Sequence, residues 1–422
     1  MNSYRMLKVI VAGVVASAIS VISLAEPTVQ ELAQRLEQMQ KEMDELRQQI
    51  KNSASKEEIH QVVAEVKQMT AAVSGADEWR QSDTMVHMSG YADVGYTDTK
   101  SRGDSFNVGS FSPIFHFQYR DLVLLEAELE YEVDSNGETE TNLEYLTIDW
   151  FLNDYMILLG GKFLSPIGQF RQNLHPSWIN KLPSAPPGFG HDGAAPVSEM
   201  GVQLRGGFPI AGLRTNYAIY VSNGPKLNAV DEDGSMELEG IEAEGSGSDN
   251  DDEKTYGGRF SIFPVAGLEL ALSGATGKAT VTSLVDEEAG TNEFLSNEQA
   301  RDYDVFGADF SWNYRLFQLR GEFVQTKIGA ASVGVSASEA ATWETWYAQA
   351  AHRLGMTKWE LIARYADFDS PHDSEDQRQW AFGVDYLFAS NVIGKVGYEL
   401  NDGLKDSDAD DDRVLLQFSY GF

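Results

Sequence analysis

From Thr84 to Phe422 apolar and polar side chains alternate with a period of two, through sixteen segments of strand length. A period of two gives every segment one apolar and one polar side. The connections between the segments also alternate. Tight ones at Arg120-Asp121, Asn153-Asp154, Pro209 to Gly212, Pro264-Val265, Tyr314-Arg315, Leu354 to Met356 and Ala389-Ser390 are interleaved with connections that are mostly longer and polar. Short turns at one rim and longer loops at the other characterise a transmembrane barrel. A soluble sandwich has no reason to keep that asymmetry through every hairpin. Sixteen long strands also exceed what a two-sheet core about 10 Å thick usually holds. The fold class predicted for 84–422 is therefore all-β: a transmembrane antiparallel β-barrel of about 16 strands, the count uncertain by two.

Composition supports this and removes other classes. The chain has 32 Lys and Arg against 65 Asp and Glu, a formal charge of −33, and no cysteine. An acidic chain without a concentrated basic face repels phosphates, so nucleic acid is not expected as a partner. Disulfides, thiolate chemistry and a lipoprotein lipobox all require cysteine. A mean hydropathy of −0.32 argues against a bundle of apolar helices but not against a barrel, whose alternation averages to soluble values.

Two segments precede the strands. Over 1–25, Arg5 and Lys8 form a positive start, Val9 to Ile22 an apolar stretch, and Ser23-Leu24-Ala25 a small-x-small site, which reads as a cleaved export signal. A retained anchor helix is the competing reading, but the stretch is short for a span. Over 26–83, Val29, Leu32, Leu36, Met39, Met43, Leu46 and Ile50 fall three and four apart, the seam of a coiled coil. Ile59, Val62, Val66, Met69 and Val73 resume the pattern out of register. Such short heptad runs are marginal alone, so the segment is expected to be a short periplasmic coiled coil used where several chains meet. A solvated helix facing the cell wall is the alternative.

Alternation assigns the faces. Val414, Leu416, Phe418, Tyr420 and Phe422 point one way, toward lipid, and Arg413, Gln417, Ser419 and Gly421 the other, toward the lumen. Aromatics near strand ends, such as Trp150, Trp312, Tyr314, Tyr386 and Phe388, suit an interfacial girdle. The terminal Ser-Tyr-Gly-Phe, with Phe418 and Tyr420 before Phe422, resembles the signal by which outer-membrane barrels engage their assembly machinery. A sixteen-strand barrel behind an export signal and a coiled coil resembles the trimeric Gram-negative porins, in particular the DcaP-like dicarboxylate channels and the phosphate-selective porin O/P group. The resemblance implies a homotrimer in outer-membrane lipid and lipopolysaccharide, passing small hydrophilic, charged solutes by diffusion. It carries no substrate-specific residue signature, and a dedicated phosphate, dicarboxylate or metal-chelate channel remains open.

One connection differs from the rest. Residues 165–196 are less acidic than neighbouring loops and carry Phe170, Trp178 and Phe189, rings that a solvated loop has no use for. As the third long loop, this segment resembles the one that folds into general porins as their constriction. Arg171, His175 and Lys181 are the candidates to face the solute, or else to pair with wall carboxylates and hold the loop. Lumen parity supplies an acidic wall, Glu126, Glu128, Glu130 and Glu132 on the third strand. It also supplies a basic wall, Arg205, Arg214, Arg259, Arg320, Arg353, Arg364, Lys395 and Arg413. Opposed walls create a transverse field that orients polar solutes, and arginine forks attract anions. These charges could equally brace one another and keep the lumen wet.

The negative charge is concentrated in Asp231 to Lys254, with eleven carboxylates, and in Asp402 to Asp412. Both are read as solvated, self-repelling external loops, with divalent-cation binding at the lipopolysaccharide surface as the sharper alternative. Asp406, Asp408 and Asp410 start like an EF-hand, but Asp411 stands where its glycine belongs and Gln417 where its glutamate belongs, so no metal site is expected. No cofactor motif occurs, and H-E-x-x-H and G-x-S-x-G are absent, so an enzyme is not expected. The rival to a porin is an adhesion or envelope-spacing barrel with a blocked lumen.

Overall fold

The computed structural model describes residues 83–422 except 102, 134–135, 191–192, 233–234, 243, 246, 250–251, 287–290, 296–297, 334–338, 373–374 and 406. The expected export signal, and the coiled coil up to its last residue Asp83, lie outside the described residues.

Nineteen strands follow in order: β1 (Thr84–Thr99), β2 (Gly103–Tyr119), β3 (Val123–Val133), β4 (Thr139–Asn153), β5 (Met156–Leu164), β6 (Ser198–Gly207), β7 (Arg214–Ser222), β8 (Lys226–Glu232), β9 (Ser235–Glu242), β10 (Thr255–Val265), β11 (Leu268–Asp286), β12 (Thr291–Phe294), β13 (Arg301–Tyr314), β14 (Phe317–Ile328), β15 (Ala341–Arg353), β16 (Trp359–Asp369), β17 (Gln377–Ala389), β18 (Val392–Gly403) and β19 (Arg413–Gly421). Leaving out β8, β9 and β12, the other sixteen pair antiparallel with their neighbours in chain order. The ring closes where β19 pairs with β1, from Tyr91 opposite Gly421 to Thr99 opposite Arg413. Phe422 continues the seam: its N–H donates to Gly90 O at 2.8 Å and its carbonyl accepts from Gly90 N–H at 3.0 Å. Closure leaves no edge strand, which a barrel needs where no water can satisfy the backbone.

The faces divide as the alternation predicts. On β19, Val414, Leu416, Phe418 and Tyr420 are exposed outward; on β17, so are Trp380, Phe382, Val384 and Phe388. Many inward positions are charged or polar, among them Asp93, Glu128, Asp149, Asp309, Glu322 and Arg364, while others, such as Val324, Trp343 and Phe368, are apolar and buried. Outward aromatics adjoin laterally at two levels, tilted or edge-on to one another. Trp346, Tyr365 and Trp380 adjoin at 5.2 and 4.9 Å nearer the long-loop rim, and Trp359 and Tyr386 at 4.7 Å nearer the turn rim. Rings at two levels with an apolar band between them are what a bilayer slab selects.

Two expectations need correction. The connections interleaved with the tight ones read as mostly longer, yet the first of them is itself a tight turn, because β1 and β2 pair out to Thr99 opposite Gly103. The acidic stretch Asp231 to Lys254 is not wholly a solvated loop. Its first part belongs to the hairpin β8–β9, and β8 pairs parallel with β11 where β11 runs past the rim of the barrel. Leu227, Ala229, Leu238 and Ile241 are all buried. The carboxylates masked this short alternation. The second acidic stretch is also structured in part, since Asp411 accepts from Ser101 N–H at 3.1 Å and Asp412 from Asn401 N–H at 3.1 Å. Among the described residues no group of three or more His, Asp or Glu is placed to hold a metal ion.

The face assignment predicts that Leu416→Arg, outward and near mid-strand, lowers unfolding stability in lipid vesicles by about 2–4 kcal/mol. Leu416→Phe should leave the urea midpoint unchanged.

Candidate functional site

Inside the barrel the dominant feature is the segment between β5 and β6. Ser165 N–H donates to Val197 O at 3.0 Å and closes its base. From there it reaches wall after wall. Gly168 N–H donates to Ser273 Oγ on β11 at 3.2 Å, Gln169 Nε2 to Asp309 Oδ1 on β13 at 3.0 Å, and Phe170 N–H to Glu322 Oε2 on β14 at 3.0 Å. Gly168 sits at φ +71°, and a Cβ there would lie 1.6 Å from Glu322 Oε1. Only glycine allows both that conformation and that approach.

A short π-helix, Phe170–Leu174, follows. The chain then crosses to β3 and returns past β19, β18, β17, β16 and β15. Lys395 Nζ donates to Asn180 O at 2.8 Å and to Ser177 O. Lys181 pairs with Glu360 at 2.7 Å. Leu182 packs where Gly383 presents no side chain, and Arg364 donates to Ser184 O at 3.0 Å and Ala185 O at 3.1 Å. Thr345 Oγ1 donates to Pro187 O and Thr326 Oγ1 to Ala194 O, both at 2.7 Å. Phe189 is fully buried and meets the Tyr347 ring edge-on at 5.2 Å. The rings that marked this segment in the sequence are thus packed on the inner wall.

The candidate residues occupy different environments. Arg171 is 7% exposed, and among the described residues its Nε has no hydrogen-bond partner. Burial lowers its pKa, opposed by Glu144, Glu130, Glu244 and Tyr91. It nevertheless stays charged, because a guanidinium starts so far above neutrality. His175 Nδ1 contacts Arg171 O, and its Nε2 lies 3.7 Å from Glu128 Oε1. Lys181 keeps 22% of its side-chain surface.

On the basic wall, Arg259 makes a fork to Asp309, at 2.9 and 2.6 Å, and reaches Glu269 at 3.1 Å. Arg205 pairs with Asp149 and lies 3.8 Å from Glu126. Arg413 binds Glu399 at 2.7 Å, and Arg364 lies 3.8 Å from the same carboxylate. Arg320 is buried and donates to Gln318; among the described residues it forms no ion pair. Two arginines stand away from this lumenal network. Arg214 is exposed at the turn rim over the Phe263 ring, 5.0 Å from its centroid, and Arg353 is exposed there and donates to Thr357 O at 3.1 Å. Strand ends leave the parity rule, because the chain is already turning.

On the acidic wall, Glu126 meets His116 at 3.1 Å, Glu128 accepts from Tyr91 Oη at 2.7 Å, Glu130 lies near Arg171, and Glu132 is exposed. Sequence parity missed Glu144. A bulge opposite Glu128 and Leu129 inserts one residue in β4, so that Leu143 and Leu146 both face outward while Glu144 is buried. A bulge re-aims side chains in this way. Asp149, fully buried beneath Arg205, was legible from the same strand's alternation but was not singled out.

Neither a protein-family model nor a curated protein matches the chain. Solved structures do. The anion-selective porin from Comamonas acidovorans is similar at 15% identity, with 80% of this chain and 100% of that one covered and a TM-score of 0.52. OmpT, an outer membrane protein of Vibrio cholerae, is similar at 12% identity over 81% and 98%, with a TM-score of 0.52. The outer membrane channel DcaP of Acinetobacter baumannii is similar at 9% over 81% and 98%, with a TM-score of 0.51. These likenesses establish the fold shared with outer-membrane porins and leave the solute open.

The buried network predicts that Arg259→Ala, which strands Asp309 and Glu269, costs about 3–5 kcal/mol of stability. Arg214→Ala at the rim should stay within about 0.5 kcal/mol. Urea unfolding of the two variants in lipid vesicles compares them directly.

Proposed function

We propose that this chain is an outer-membrane porin that lets small hydrophilic, charged solutes diffuse through a lumen narrowed by 165–196. The observation that carries this reading is a closed barrel, apolar outside and with many charged side chains inside, with that segment fastened across its interior. A water-filled lumen rewards inward charge, whereas a packed core penalises it. Three chains would assemble, their 26–83 segments meeting as a coiled coil in the periplasm, with Phe422 read by the assembly machinery. Lipopolysaccharide would surround the long-loop rim.

Inward charge is mostly paired, and this limits what it can select. Arg259, Arg364 and Lys395 spend their donors on carboxylates or on the inner segment itself. Lys181, Arg205 and Arg413 keep 22%, 35% and 35% of their side-chain surface, so these are the cations a solute meets. A second reading has an observation in its favour: a cluster of buried apolar side chains, including Phe163, Ile167, Phe189, Trp343 and Phe368, fills part of the interior. A blocked, envelope-spacing barrel would have such a filling throughout.

Planar-bilayer recording decides between them. The porin reading predicts conductance in steps of three that survives deletion of 26–83 as ion flux. A sealed barrel with no ion flux would sink it. In a salt gradient, Lys181→Ala or Arg413→Ala should move the reversal potential toward cation preference, and Arg171→Ala should move it less, because that guanidinium is nearly out of reach of water.

A further inference from the structure

The connection between β7 and β10, adjacent strands of the ring, travels far from both. Hairpin β8–β9 stands on the extension of β11, where Lys226 to Val230 pair with Thr280 to Val285. On one side the carbonyl of Leu238 meets His372 Nε2 at 2.6 Å, in the loop between β16 and β17. On the other, Glu244 pairs with Lys162 of β5 at 3.1 Å, and Gly245 N–H donates to Ser198 Oγ of β6 at 3.0 Å. Around the closed ring, the β5–β6 and β16–β17 pairs lie eight strands apart out of sixteen, which is opposite. The described residues of 226–245 therefore reach opposite points of the mouth.

Its underside is apolar. Leu227, Ala229, Leu238 and Ile241 are at most 6% exposed and join one cluster with the inward rings Trp343 and Phe368. The wall residues of this cluster come from β5, β7, β11 and β13–β16, so among the described residues the wall from β17 through β19 to β4 contributes none to this cover. Apolar contact holds such a strap more firmly than its few polar ties.

We propose that the strap 226–245 caps half of the barrel mouth and, together with 165–196, sets the size limit for solutes. The inference rests on the porin reading, and it adds a specificity-determining element on the long-loop side of the inner segment. It also explains why an acidic stretch contains alternating apolar residues: they are the seal, and Glu237 and Glu242 stay exposed to water.

The test compares the full chain with two variants in planar bilayers. One replaces 226–245 by a short Gly-Ser linker; the other, Leu238→Asp with Leu227→Asp, puts charge on the sealed face without shortening the chain. Polyethylene glycols of graded size probe the limit, and heat-modifiable migration checks that each barrel is closed. Uncovering half of the mouth should raise single-channel conductance up to about twofold and admit larger polymers. Unchanged conductance and unchanged polymer cut-off in closed variants would overturn the cap. A silent wild-type chain with conducting variants would support the cap while overturning an open porin, and silence in all three would overturn both.

Discussion

Backbone hydrogen bonding that cannot be completed by solvent is the constraint on which this structure rests. In the hydrocarbon of a bilayer each unpaired N–H or C=O costs several kcal/mol, so the sheet must close on itself. The seam between β1 and β19 meets that demand, and Phe422 and Gly90 complete it by exchanging two hydrogen bonds. Everything inside depends on this closure. Once the ring is closed, alternate side chains of every strand face a shared interior whose charges can reach one another from distant parts of the sequence.

That interior is organised by pairing. Asp309 illustrates it: it accepts from Arg259 of β10 and from Gln169 of the inner segment, so one carboxylate ties two strands and a loop. Arg364 and Lys395 direct their donors at the backbone carbonyls of the same segment, satisfying groups that a loop buried away from water would otherwise leave open. The inner segment is held less by its own secondary structure than by cations, hydroxyls and carboxylates that project from six strands. The acidic formal charge of the chain consequently says little about the lumen, where some carboxylates are answered by arginine and lysine and others by hydroxyls and N–H groups.

The strands and their faces were readable because a period of two depends only on neighbours in sequence. Leu416 and Gln417 announce opposite sides without reference to any partner. The position of 165–196 was readable in kind, through Phe170, Trp178 and Phe189, but its anchors were not. Whether Arg171 meets water or is buried near Glu244 depends on a segment more than seventy residues away. Glu144 escaped because a single inserted residue shifts parity, and Arg353 because a strand end no longer obeys it. The hairpin β8–β9 was hidden for another reason: its apolar positions are few and its carboxylates many, so composition outweighed alternation.

The sequence by itself determined a membrane-spanning antiparallel barrel of about sixteen strands, to within two, and which side of most strands meets lipid, because these follow from local periodicity and from the lengths of the turns. The tertiary structure decided which inward charges keep water and which are consumed in holding the inner segment. It also decided that an acidic connection crosses the mouth as a strap. Those outcomes arise from closure, which lets one inner segment reach walls far apart in sequence, and no local pattern records which walls it meets.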